Sequence, residues 1–318
     1  MTRLRIGTRG SALALWQANH IADHLKKLHG VESELIRIRT SGDRMQAAPV
    51  AQINEAIGAE MGGKGIFIKE LEDALLAGTI DLAVHSMKDV PTEIPPGLAF
   101  PAITRREDAR DCLISRTGRS LKGLSEGARI GTSSLRRQAQ LRHHRSDLDV
   151  VNLRGNVDTR LKKLDAKEFD AIVLAIAGVN RLGFAGRISQ VLDEGIMLPA
   201  VGQGALGIET RANDERTSTL VAALDDAESR ACVTAERALL HELQGGCQVP
   251  LGAWARLTGD ELRIEAAVFS ADGKDFARRE ERGTAADPVG VGKRLGRALL
   301  EGGADRILRL AGRSVGHT

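Results

Sequence analysis

The sequence predicts an α/β protein of two similar lobes followed by a small α+β domain, and three observations carry that prediction. Over roughly the first two hundred residues, short apolar runs alternate with helical patterns, as in α/β proteins. The tetrapeptide Arg-Ile-Gly-Thr occurs twice, at Arg5–Thr8 and Arg129–Thr132, each time closing an expected strand and leading through Ser11 or Ser134 into a helix. After Asp225 the order changes to a helix, three strand-like runs and terminal helices, which suits a separate α+β unit. The length, 318 residues, exceeds what a single core usually serves.

Taken in order, Leu4–Thr8 reads as a strand, and Ser11 can cap a helix whose apolar face includes Leu15, Trp16, Ile21, Leu25 and Leu28. Leu35–Arg39 reads as the second strand. Residues 41–65 are loop-like and end in Gly62-Gly63-Lys64-Gly65, ahead of a helix over Phe67–Leu76 and a strand over Ile80–His85. Beyond Arg105, strands are expected near Cys112–Ser115, Arg129–Gly131, Val150–Leu153 and Ala171–Ala175, with helices between them; Ala205–Glu209 is strand-like again. A helix over Ala227–Leu243 precedes Gly245-Gly246-Cys247, then strands near Leu251–Leu257, Glu261–Phe269 and Asp275–Glu281, with helices from Pro288 onward.

Several classes of protein are excluded early. The longest clean apolar run, Ala171–Val179, is far short of the ~20 residues a membrane helix needs. Ala12–Trp16 is too short for the core of a signal peptide. Cys112, Cys232 and Cys247 are an odd, widely spaced set without C-x-x-C, so neither a disulfide framework nor a zinc site is expected, and the natural compartment is a reducing cytoplasm. His20 and His24 have i,i+4 spacing with no acidic cluster to complete a metal site, and read as a solvated helix face.

The net charge of +3 conceals an uneven distribution. Between Arg105 and Arg187 there are 14 Arg and 4 Lys against 10 acidic residues, a net of +8 that leaves −5 for the rest of the chain. Arginine's planar fork suits bidentate contact with carboxylate or phosphate. Single-stranded nucleic acid would want aromatic platforms, and the chain has six Phe, two Trp and no Tyr. A small polycarboxylate or phosphate fits this basic middle segment better.

The turns Gly7-Thr8-Arg9-Gly10-Ser11 and Gly131-Thr132-Ser133-Ser134 both enter helices, where free backbone N–H groups can take an anion. Ordinary capping explains the first turn equally well. The second adds Arg136 and Arg137 to its first helical turn, where cations oppose the helix dipole unless an anion sits there, and this favours an anion site. Val84-His85-Ser86-Met87-Lys88-Asp89-Val90-Pro91 lies at the end of an expected strand, the usual ligand edge of an open sheet. From composition alone Lys88 and Asp89 read as a surface ion pair and His85 as a packed residue. Leu153-Arg154-Gly155-Asn156, with Arg160 one turn further on, repeats the strand-to-turn theme with two more arginines. Cys247 follows two glycines beyond a helix end and is the one thiol positioned for exposure; Cys232 and Cys112 read as inert core.

Together these segments resemble one family, hydroxymethylbilane synthase (porphobilinogen deaminase). The resemblance runs from Arg5 to about Gly283 and rests on the order of Ile6-Gly-Thr-Arg, Gly62-Gly-Lys-Gly-Ile-Phe, Val84–Pro91, Gly131–Gln138, Leu153–Asn156, Leu198-Pro-Ala-Val-Gly-Gln-Gly-Ala and Gly245-Gly-Cys-Gln-Val-Pro. It implies two periplasmic-binding-protein-like lobes plus a small α+β C-terminal domain: residues 1–104 with 201–224, residues 105–200, and residues 225–318. The implied reaction joins four porphobilinogen molecules head to tail, with loss of ammonia, on a covalent dipyrromethane cofactor held by a thioether to Cys247. Loss of ammonia leaves a cationic azafulvene, which a fixed carboxylate should stabilise; Asp89 matches that residue. By the same resemblance Lys88, Thr132, Ser134, Arg136 and Arg137 hold the cofactor, while Arg9, Ser11, Arg154, Arg160 and Arg181 receive substrate carboxylates. A monomer without a metal is implied, passing its product to uroporphyrinogen-III synthase. Two departures stand out: residues 44–61 look longer than the family's loop, and Gln244 stands where Glu is expected. The rival reading, a non-catalytic two-lobed anion-binding protein, has no use for an exposed Gly-Gly-Cys.

Overall fold

The computed structural model describes residues 3–41, 68–243 and 250–314. The chain forms two compact units, Met1–Arg106 with Ala205–Arg230, and Glu107–Gly204 with Ala231–Thr318.

In the first unit, β1 (Leu4–Thr8) lies between two parallel neighbours, β2 (Ser33–Arg37) and β3 (Leu82–Ser86). The apolar side chains on one face of these strands, Leu4, Ile6, Leu82 and Val84, are covered by Ala18, Ile21 and Leu25 of α1 (Ala12–His29). That helix starts where expected: the Ser11 side chain accepts a bond from the Ala14 amide at 3.3 Å, and Gly30 ends it in the left-handed conformation. The other face packs on α2 (Lys69–Leu76) through Leu71, Leu75, Ile80 and Ala83. Strand β10 (Leu206–Arg211) returns antiparallel beside β3 and pairs on its far side with β4 (Leu98–Ile103), giving the order β2-β1-β3-β10-β4. Helix α6 (Glu215–Ala222), capped by Asp214, closes this unit's core with Val221.

The second unit repeats that plan. Strand β6 (Arg129–Gly131) is parallel to β7 (Asp149–Val151) and β8 (Ala171–Ala175). Strand β5 (Asp111–Ser115) runs antiparallel between β8 and β9 (Gln190–Leu192), and the order is β7-β6-β8-β5-β9. The two copies of Arg-Ile-Gly-Thr therefore occupy the same place in two sheets of the same topology. Close packing accounts for their glycines: a Cβ at Gly7 would strike Ile80 and Leu71, and one at Gly131 would lie 2.8 Å from Leu153 and Phe169. Helices α3 (Leu135–His144), α4 (Val157–Asp165) and α5 (Ile176–Arg181) complete this α/β part.

The rest of the second unit is built on an antiparallel sheet of β11 (Leu251–Thr258), β12 (Glu261–Phe269) and β13 (Phe276–Thr284). Its inner face packs against Ala235, Leu239 and Leu240 of α7 (Ala227–Glu242) and Val291, Leu295 and Leu299 of α8 (Pro288–Leu299), with α9 (Asp305–Ser314) following. This is the α+β arrangement expected from the change of rhythm after Asp225.

Two strands escaped the sequence pattern, β4 and β9, and both are edge strands. Pro101 interrupts β4, which is tolerated only where a ladder hydrogen bond can be missing, and β9 has only three residues. The second strand lies two residues earlier than expected, because Leu4–Thr8 takes Ser33–Arg37 as its register partners. Among the described residues no helix is long and apolar enough to cross a membrane, and no cluster of three or more metal-ligating residues occurs. His20 stacks on Trp16 along α1 with ring centroids 4.7 Å apart, and His24 packs beside it.

Candidate active site

Strand β3 ends in a 3-10 turn, Met87–Asp89. Pro91 explains where the turn stops, since a residue before proline is pushed out of helical geometry and Val90 is extended. The Met87 amide is held by the Ala205 carbonyl at 3.0 Å, and Gln17 of α1 donates to Ser86 Oγ at 2.9 Å. The turn is thus fastened on both sides, and it presents Asp89 half-buried at the strand's end. Asp89 shares a cleft of about 70 Å3 with Arg9, Ser11, Gln17, His85 and Ser86. Among the described residues nothing engages the Asp89 carboxylate in a hydrogen bond or ion pair. An acid left available beside an arginine suits binding and stabilising a cationic centre. Ser11, expected to serve substrate, spends its side chain on the α1 cap as well.

In the second unit the turn after β6 behaves differently from an ordinary cap. Ser134 is the N-cap of α3, yet its side chain takes no bond from the helix; its own amide donates to Thr132 Oγ1 at 3.3 Å, and Ser133 donates to the Leu153 carbonyl. Arg136 and Arg137 do meet an anion, but it belongs to the protein. Asp111, at the head of β5 and fully buried, accepts Arg136 Nη1 at 2.6 Å and Arg137 Nη2 at 2.7 Å. Burial pushes the Asp111 carboxyl up, but the two guanidiniums outweigh it and hold the group well below the usual carboxylate range. For Arg136 burial is the larger influence and lowers its pKa despite the pair.

The Leu198–Ala205 motif is drawn into the same network. The Leu198 carbonyl accepts Arg136 Nη1 at 2.6 Å and Gln140 Nε2 at 3.1 Å, and Gln203 donates to Asp111 at 3.0 Å. Glu236 of α7, itself fully buried, accepts the amides of Gly202 at 2.6 Å and Ala255 at 2.8 Å. The side chains of Asp111, Gln203 and Glu236 thus hold the basic turn, the motif loop and β11; Gln203 stands within the Leu198–Ala205 motif, but neither acid stands out in the sequence. The available signal was an acid opening the apolar run Cys112-Leu-Ile: a strand buried on both faces can keep such a group only if cations reach it.

Two further arginines are desolvated. Burial brings Arg160 down to about 10, with the Arg137 charge adding to it, and its Nε donates to the Gly155 carbonyl at 2.7 Å. Burial likewise brings Arg181 down to about 10 against the Glu107 charge, and its Nη2 donates to the Gly204 carbonyl at 2.7 Å. Among the described residues no carboxylate forms an ion pair with Arg160. A guanidinium that gives up water without a counter-charge is poised for an anionic ligand, so this donor set fits a group rich in carboxylates. Arg154 is exposed at the end of its turn. Lys88 lies in the Asp89 turn.

Cys247, Gln244, the Gly62–Gly65 run and residues 44–61 lie outside the described residues. In sequence Cys247 falls between the end of α7 at Glu242 and the start of β11 at Leu251. Cys112 and Cys232 are buried, and burial, then the Asp111 charge, pushes the Cys112 thiol up to about 12.

The family model for the porphobilinogen deaminase dipyrromethane cofactor-binding domain matches residues 4–219, and the model for the porphobilinogen deaminase C-terminal domain matches residues 230–301. The chain belongs to the porphobilinogen deaminase family. Porphobilinogen deaminase of Syntrophotalea carbinolica is 51% identical over 306 residues, covering 96% of this chain and 95% of that one. The deaminases of Trichlorobacter lovleyi and Pelotomaculum thermopropionicum are each 49% identical, over 96% and 97% of this chain and 96% of their own lengths. Members of this deaminase family are transferases with hydroxymethylbilane synthase activity, and a non-catalytic anion-binding role is not favoured.

Proposed function

We propose that the chain condenses four porphobilinogen molecules into hydroxymethylbilane, with Asp89 as the catalytic carboxylate and Cys247 as the attachment point of a dipyrromethane cofactor. The observation that carries this reading is the Asp89 carboxylate, held on a fastened turn in a cleft with Arg9 and engaged by no described side chain. When ammonia leaves the aminomethyl group of porphobilinogen, the pyrrole carries a positive charge. Asp89 stabilises that charge at the ring nitrogen and takes or returns its proton. When bound, the cofactor supplies the pyrrole end on which the chain grows.

Arg9 and Ser11 in the first unit, and Arg154, Arg160 and Arg181 in the second, receive the acetate and propionate groups of incoming pyrroles. Lys88, Thr132, Ser134, Arg136 and Arg137 hold the cofactor. Each guanidinium has five N–H donors, so Arg136 and Arg137 keep donors beyond their bonds to Asp111. On this reading residues 1–104 with 201–224 form the catalytic lobe, 105–200 the basic lobe and 225–318 the cofactor-bearing domain. The enzyme works as a cytoplasmic monomer that passes its product to uroporphyrinogen-III synthase.

The test has two parts. Intact mass followed by peptide mapping should find an adduct of two porphobilinogens less two ammonias on Cys247, and Cys247→Ser should lack it. Asp89→Ala should keep the fold and lose turnover of porphobilinogen; near-normal turnover by that variant would remove Asp89 from the role.

A further inference from the structure

Strand β3 carries a second ionisable side chain at the Asp89 cleft, and the roles assigned above leave it unused. His85 borders the cleft although its side chain is only 4% exposed. Its Nε2 lies 3.0 Å from Oε2 of Glu209, whose side chain is 1% exposed. The register explains the meeting. His85 lies opposite Gly207 in the antiparallel β3–β10 pair, so Glu209, two residues along β10, stands diagonally on the same face. Gly207 also makes room for Phe100, whose ring edge meets the imidazole at a centroid distance of 6.0 Å; a Cβ at Gly207 would lie 2.8 Å from that ring.

Glu209 is costly where it is. Its Oε1 is buried, and among the described residues it has no hydrogen-bond partner and no Lys or Arg pairs with it. Apolar side chains of similar volume would serve packing at least as well, because desolvating a carboxylate commonly outweighs what one partner returns. What Glu209 does supply is a fixed proton. With the carboxylate ionised and the imidazole neutral, the nitrogen facing Glu209 carries the hydrogen and the other nitrogen is left as an acceptor.

We propose that Glu209 is a positioning residue for the reaction inferred above: it holds the Nε2 proton of His85, leaving Nδ1 as the acceptor that His85 offers to an N–H group of the pyrrole substrate in the Asp89 cleft. That group is either the ring N–H or the aminomethyl ammonium. No proton leaves His85 in this role; the imidazole orients the donor while Asp89 handles the charge.

The first measurement is the histidine 15N spectrum of the full-length protein, with the His85 signal assigned through His85→Asn. The Nε2–H form is expected in the wild type, and loss of that fixed form in Glu209→Gln; a wild-type Nδ1–H form overturns the proposal. The second is steady-state kinetics with porphobilinogen. Glu209→Gln and His85→Asn should each lower kcat/KM by about tenfold or more, within the range seen when the group orienting a functional His is removed. Glu209→Gln should cost nothing further in an His85→Asn background, because one residue acts through the other. Equal, additive losses would mean a purely structural pair and also overturn the proposal, as would single variants within twofold of wild type. Inhibition by the same pyrrole lacking its aminomethyl group separates the two donors: binding weakened by Glu209→Gln assigns the ring N–H, and binding unchanged assigns the ammonium. If the wild type itself released no ammonia from porphobilinogen, the assigned reaction would fall, whereas the tautomer measurement would still decide the role of Glu209.

Discussion

Arg137 grips Oδ1 of Asp111 with two donors, Nη2 at 2.7 Å and Nε at 3.1 Å, while Arg136 takes the other oxygen. The two arginines at the start of α3 looked unfavourable against the helix dipole, and their counter-charge comes from a strand 25 residues earlier in the chain. Because Arg136 also donates to the Leu198 carbonyl, and Gln203 to Asp111, this one carboxylate joins three separated stretches of sequence.

Replacing Asp111 with Ala should therefore destabilise the protein by about 3–5 kcal/mol, since it strands two buried cations. Urea unfolding followed by circular dichroism measures this. A loss under ~1 kcal/mol would mean that water reaches the guanidiniums.

The same group sets an acid limit. Its carboxyl is depressed in the folded state, so its contribution is complete above the unfolded value near ~4 and is lost as pH falls from there toward the folded value. Urea midpoints measured down a pH series should fall below about pH 4, and less steeply in Asp111→Asn.

Arg160 tests the anion-site reading. Arg160→Gln should lower kcat/KM for porphobilinogen by the equivalent of about 2–5 kcal/mol while leaving the melting temperature close to wild type, because on the proposed reading its partner is a ligand carboxylate. Arg116, in an exposed pair with Asp170 at 3.1 Å, is the control: Arg116→Gln should change neither quantity appreciably.

Thiol chemistry offers a further check. With the Cys112 thiol pushed up to about 12 and Cys232 buried, native alkylation near pH ~8 should modify neither, and peptide mapping should find label only at Cys247 in protein lacking the cofactor. Labelling of Cys112 in folded protein would contradict its burial.

The turn between β12 and β13 docks on α3. The Arg142 side chain donates to the Ala271 carbonyl at 2.8 Å, the His143 ring meets the Gly273 carbonyl, and a Cβ at Gly273, whose φ is +75°, would lie 2.5 Å from the Ala139 carbonyl. Gly273→Ala should lower the melting temperature by several degrees, combining about 1–2 kcal/mol of backbone strain with that collision. Proteolysis should then cut first near this turn.

Much of the architecture was legible because periodicity is local. Leu4–Thr8, Ala171–Ala175 and Glu261–Phe269 appear as strands with the bounds expected, and Ser11 caps α1. Edge strands were not legible: β4 contains Pro101 and β9 is three residues long, so neither leaves a pattern of its own. The Asp89 turn was legible as the end of a strand before Val90-Pro91. Its fastenings to Gln17 and Ala205, and the pairing of His85 with Glu209 on the strand before it, were not, because those residues come from α1, from just before β10 and from β10.

The sequence by itself determined the family, the two repeated α/β plans with their α+β companion, and the residues on which the proposed chemistry rests: one carboxylate at a strand end, one thiol after two glycines, and a basic middle. Only the tertiary structure decided which charges are spent inside the protein. Arg136 and Arg137 are pinned by Asp111, whereas among the described residues Arg160 is dehydrated without a carboxylate partner and Asp89 stands unengaged in its cleft. The physical reason is that a charge's role depends on its nearest counter-charge and its access to water, and both are set by segments distant in sequence that the fold brings within about 3 Å.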